Sequence, residues 1–99
     1  MIRGSTPTHT FRLPFAGSMV AEAMVIYAQN DVEVFHKDTY DCKLEGNAIS
    51  VTLDQEETLL LSHLSNVQIQ LKVKTTEGVV LVSIPTVISV QKCLNDEVL

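Results

Sequence analysis

The side chains able to do chemistry are few and scattered. His9, His36 and His63 are evenly spaced, but the residues around them do not repeat. Each falls in a different expected element, and none has a second ligand at metal-binding spacing. All three read as surface or boundary histidines. A metal-dependent or hydrolytic site would have to be built on His36 and the acids near it. Cys42 and Cys93 are the only thiols. No helix N-terminus or Gly-rich elbow follows Cys42 to lower its pKa and make it a nucleophile. Ser18, Ser62 and Ser65 lie in no nucleophile motif. Carboxylates cluster at Asp54, Glu56 and Glu57 and again at Asp96 and Glu97. Acid–base catalysis needs two carboxyls in unlike environments, and neighbours in one solvated run share theirs. The four glycines are dispersed, so no loop cradles a phosphate. These residue types point away from an enzyme, and no catalytic residue, metal ligand or cofactor is assigned.

The elements that would position any site belong to one domain spanning residues 1–99, a normal length for a single core. The formal net charge is −5 and the basic residues are spread out. That argues against nucleic acid and against an anionic membrane surface, both of which draw on clustered Lys and Arg. Two cysteines make no disulfide framework. In a reducing compartment they are small, partly buried thiols, although a bridge between a middle strand and the last strand is geometrically open. No apolar core follows the charge in MIRGSTPTHTF, so no secretory signal is expected. The run Met19 to Ala28 is broken by Glu22 and is too short to span a bilayer. Synthesis in a cytoplasm is the expectation.

The clearest element is NVQIQLKVKTT, Asn66 to Thr76. Val67, Ile69, Leu71 and Val73 alternate with Gln68, Gln70, Lys72 and Lys74, the period of a strand with one dry and one wet face. Such a strand belongs to an antiparallel sheet covered on one side by a second layer. Residues 1–6 read as a loose lead-in. Phe11, Leu13 and Phe15 alternate in THTFRLPF, and Pro7 and Pro14 suggest an edge strand. Ala16-Gly17-Ser18 is a turn. A strand follows from about Glu22 to Gln29, with Ala23, Val25 and Tyr27 on one face and Met24, Ile26 and Ala28 on the other. Asn30-Asp31 is a two-residue hairpin turn into VEVFHK. Short strands at Cys42–Leu44 and Ala48–Leu53 flank a turn at Glu45-Gly46-Asn47. Asp54 can cap one or two turns of helix, with Glu57 at the box position. After the long strand come a turn at Thr75–Gly78, a strand bent or bulged at Pro85, and an acidic tail, Asn95–Leu99, expected to be mobile. Seven or eight short strands at this spacing predict an all-β, immunoglobulin-like antiparallel sandwich with one short helical connector. A closed barrel is the competing architecture. An antibody-type domain is excluded, because there is no Trp and no Cys–Trp–Cys pattern.

The strand around Met24 lacks a polar face. If the Asn30-Asp31 hairpin pairs without irregularity, Phe35 joins Met24 and Ile26 on the outer face. Met24, Ile26 and Phe35 would then form an apolar patch that a monomer does not usually expose. They are the expected protein–protein interface, with a copy of the chain as one partner. The competing reading is that this strand is covered on both sides, or that the register slips by one and exchanges the faces.

Taken together, MIRGSTPTHTFRLPF, ISVTLDQEETLLL, VQIQLKVKTTEG and KCLNDEVL resemble small prophage- and phage-encoded proteins of Gram-positive gut bacteria. More distantly they resemble the immunoglobulin-like N-terminal domain of phage upper baseplate proteins, which opens with a Thr-rich strand and carries a T-L-x-Q-E-x-T-L connector. The resemblance implies a non-enzymatic building block of virion, tail or baseplate. It would be made in the bacterial cytoplasm, sit in the virion, and partner itself or another phage structural protein. No ligand residues come with it. Where alternating charge would be expected on the outer face, this chain reads AEAMVIYA. A second class, a carbohydrate- or host-surface-binding module, would rest on Tyr40 in its loop.

Overall fold

The computed structural model describes all 99 residues. The alternating segments form eight strands: β1 (Thr8–Arg12), β2 (Val20–Gln29), β3 (Val32–Lys37), β4 (Cys42–Glu45), β5 (Ala48–Thr52), β6 (Val67–Thr75), β7 (Val80–Val82) and β8 (Thr86–Ile88). One short helix, α1 (Gln55–Leu59), lies between β5 and β6. No helix is long and apolar enough to cross a membrane.

The strands build two antiparallel sheets. The smaller has the order β1-β5-β4, and the larger runs β3-β2-β6-β7 with β8 also on β6. Strand β2 occupies one flank of β6 along nearly its whole length, so β7 and β8 share the other flank. They are two halves of one strand broken at Pro85, as the proline predicts. Taken as one, they complete the order B-E-D facing C′-C-F-G, the immunoglobulin-like Greek key without its first strand. The expected sandwich is therefore the observed one.

The core is the sum of the alternating faces. Ala23, Val25 and Tyr27 of β2, Ile49 and Val51 of β5, and Val67, Ile69, Leu71 and Val73 of β6 are all buried, with Leu13, Leu53 and Leu61 closing the ends. Tyr27 is fully buried in the C-type strand, where antibody domains place a Trp. Its ring bridges the layers: it stacks on Phe35 of β3 at 4.8 Å and meets His9 of β1 at 5.6 Å.

Local chemistry fixes the connections. Asn30 and Asp31 both take positive φ, 53° and 63°, which is the two-residue hairpin turn that Asn-Asp suggested. At α1 the Asp54 carboxylate accepts from Glu57 N at 2.7 Å, and Glu57 Oε1 accepts from Asp54 N at 2.9 Å, the expected capping box. Gly17 begins a single 3-10 turn, and its N–H donates to Gly46 O at 2.7 Å. A Cβ on Gly17 would sit 2.7 Å from that carbonyl oxygen, so only glycine fits.

Both chain ends are bonded into the fold, which differs from the loose lead-in and free tail of the sequence reading. Arg3 N donates to Gln91 O at 3.1 Å, and Gln91 N to Met1 O at 2.8 Å. The Arg3 guanidinium donates to Leu61 O and Leu59 O at the end of α1 and pairs with both Asp96 oxygens. Arginine suits this place because its planar fork serves several acceptors at once.

Candidate functional site

The residues with chemical potential are engaged separately. His9 Nδ1 lies 2.7 Å from the Tyr27 hydroxyl, and burial, then the N-terminal ammonium, lower its pKa below the usual 6.5. Burial first, then Glu57 and Cys42, raise that of Tyr27. His36 lies between Glu33 at 3.2 Å and Asp38 at 3.4 Å, and His63 is exposed on the loop before β6. Cys42 and Cys93 are both free, so the open disulfide is not formed. Burial, then Asp41 and Asp38, raise the Cys42 pKa against the opposing pull of Lys37, which keeps the thiol protonated. No group of three His, Cys, Asp or Glu side chains is placed to hold a metal ion. The contacts of His9, Tyr27 and Cys42 serve packing and polar locking.

The outer face of the larger sheet is set by register. Residues directly opposite in antiparallel strands point to the same side. Met24 faces Lys72, which faces Val82; Glu22 faces Lys74, which faces Val80; Ala28 faces Gln68, which faces Val87. Met24 and Ile26 are thus on the outer face as expected, half-buried beside the stems of the β6 side chains. On the far flank of β6, Val80, Val82 and Val87 are each more than half exposed.

Phe35 is not on this face, and its grouping with Met24 and Ile26 is corrected. The hairpin begins in step, with Gln29 opposite Val32 and Ala28 opposite Glu33, but Tyr27 is opposite Phe35. Val34 is an extra residue in β3. Such a bulge shifts every later side chain of the strand to the other face. Phe35 turns inward onto Tyr27 and His36 takes its place opposite Ile26.

Sequence reading also missed the most exposed apolar segment. Val79, Val80, Leu81, Val82, Ile84 and Val87 are all between 44% and 88% exposed. The signal was present in VVLVSI, which has no polar alternation. A strand apolar on both faces reads as one covered on both, yet β7 is a free edge. Its inner face overlooks a groove of about 190 Å³ lined by Leu13, Phe15, Leu71, Val73, Leu81 and Val82, among others. No family model, curated protein or solved structure matches the chain.

Proposed function

We propose that the protein is a non-enzymatic assembly module of a phage or prophage, a virion, tail or baseplate accessory that works through protein–protein contact. The observation that carries the contact reading is the uncharged, apolar and exposed run Val79–Val82, with Ile84 beyond it, along the open edge of the larger sheet. Apolar surface of this kind gains about 25 cal/mol per Å² when a partner covers it. Met24 and Ile26 extend the apolar surface across the same face, with the Lys72 and Gln70 stems opposite them on β6. The phage setting rests on the sequence resemblance, which also makes the partner the chain itself or another phage structural protein.

The test is light scattering of the purified chain, alone and mixed with the products of adjacent genes. A defined oligomer or a defined complex with a structural protein is the expected result, and Ile26→Lys tests the contribution of the outer face. A strict monomer that binds none of them overturns the reading. Tyr40, fully exposed beside β4, is the observation that favours a carbohydrate- or host-surface-binding module instead. Glycan-array binding abolished by Tyr40→Ala would support that alternative.

A further inference from the structure

We infer that β7 pairs edge to edge with β7 of a second copy, antiparallel, about a two-fold axis at Leu81. The inference deepens the assembly reading above and rests on it.

The argument begins with how each sheet edge is defended, since an unpaired strand edge is a template for another strand. Strand β1 lies between Pro7 and Pro14 and carries Arg12. Strand β3 has the Val34 bulge and three titratable side chains, Glu33, His36 and Lys37. Strand β4 carries Lys43 and Glu45. The chain's own first residues pair at Gln91, beyond β8, and leave Val79–Ile84 uncovered. Strands β7 and β8 have neither charge, bulge nor cover; β8 carries the polar Thr86, and only β7 is apolar on both faces.

The hydrogen-bond phase specifies what can fill it. Thr75 N donates to Val79 O and Ser83 N to Leu71 O, both at 2.8 Å. Residues Val79, Leu81 and Ser83 therefore direct their backbone groups at β6, and Val80 and Val82 direct theirs outward. An axis at Leu81 sets Val80 opposite the partner's Val82 and Val82 opposite the partner's Val80. Each pair can exchange both N–H···O bonds. The two Leu81 side chains meet at the mouth of the groove beneath β7. Charge permits the match: the nearest cations, Lys72 and Lys74, sit one strand back behind Val82 and Val80, so no like charges stand opposite. The occupant must be extended, uncharged, apolar on both faces and open at alternate residues, and β7 of another copy meets every condition.

Sedimentation velocity of the full chain over a concentration series should show twice the 10.9 kDa chain mass. Val82→Pro should return it to monomer, because the lost N–H is one that β6 does not use and proline is tolerated on such an edge. Circular dichroism checks that the fold survives. Independently, Leu81→Cys in a Cys42→Ser, Cys93→Ser background should cross-link on oxidation, since residues facing across such an axis approach to about 4.5 Å between Cα atoms. Val79→Cys should not. A dimer unchanged by Val82→Pro, or absence of the Leu81→Cys cross-link, overturns the pairing. A strict monomer that still forms a defined complex with another phage protein overturns the pairing but leaves the assembly reading intact. A strict monomer without one removes both.

Discussion

The Tyr27 hydroxyl lies 2.7 Å from Nδ1 of His9 and so joins the two sheets by a polar contact. Either group can donate, according to the histidine tautomer. Tyr27 is fully buried and His9 only partly, so the pair lets a large aromatic residue fill the sandwich without leaving its hydroxyl unsatisfied.

The burial of His9 makes stability depend on acid. Burial, then the N-terminal ammonium, holds the native His9 pKa below the unfolded value of 6.5. The unfolded chain therefore binds a proton that the native state refuses. The His9 contribution is constant above about pH 7, falls as pH drops through 6.5, and levels off below the native pKa. Urea unfolding at a series of pH values should show this loss, and His9→Gln should flatten it. Tyr27→Phe should cost about 0.5–1.5 kcal/mol at neutral pH through the lost hydrogen bond.

Phe35→Ala and Ile26→Lys should separate the two faces of the larger sheet. Phe35 stacks on the central Tyr27. Its removal should cost about 2–4 kcal/mol as lost burial and a residual cavity. Ile26→Lys adds a charge to the outer face and should change folding stability by less than about 1 kcal/mol. Equal losses in denaturant titrations would contradict the Val34 bulge.

Glu57 has two roles and should be more sensitive than its partner. Its carboxylate closes the capping box of α1 and receives Lys37 Nζ at 2.7 Å on both oxygens, with the two side chains only 21% and 13% exposed. Glu57→Ala should cost about 2–3 kcal/mol, and Lys37→Ala about 1–2 kcal/mol, since only the latter leaves the cap in place. A double-mutant cycle should give a coupling energy clearly above that of an exposed pair.

Gln29 should resist replacement by an apolar residue of similar size. It is buried, donates to Ser62 O and Ser65 O, and accepts from Ser62 N. Gln29→Leu strands three backbone groups of the loop ahead of β6 and should cost about 1–3 kcal/mol. Faster amide exchange at Ser62 would show that the loss is local.

Most of the fold was legible because the alternation in β5 and β6 is strict and the turns at Asn30-Asp31 and Asp54–Glu57 carry their own signatures. Two features were not. The Val34 bulge adds a residue that no local pattern marks, because VEVFHK alternates acceptably in either register. The tight approach of Gly17 to Gly46 is set by tertiary packing between turns distant in sequence. The surface reading was half legible: Met24 and Ile26 were placed by alternation alone. The apolar β7 was visible as a run, but its edge position depends on strand order, which periodicity does not encode.

The Arg3–Asp96 and Met1–Gln91 contacts close a loop nearly as long as the chain. Contacts of such separation are slow to form, since the entropy of closure is lost before they contribute. The latch is thus expected to close after the barrier, once β2 and β6 have paired. Interactions absent from the transition state slow unfolding and leave the folding rate nearly unchanged. Arg3 and Asp96 would then act on stability through the unfolding rate alone, setting how long each molecule stays folded once formed.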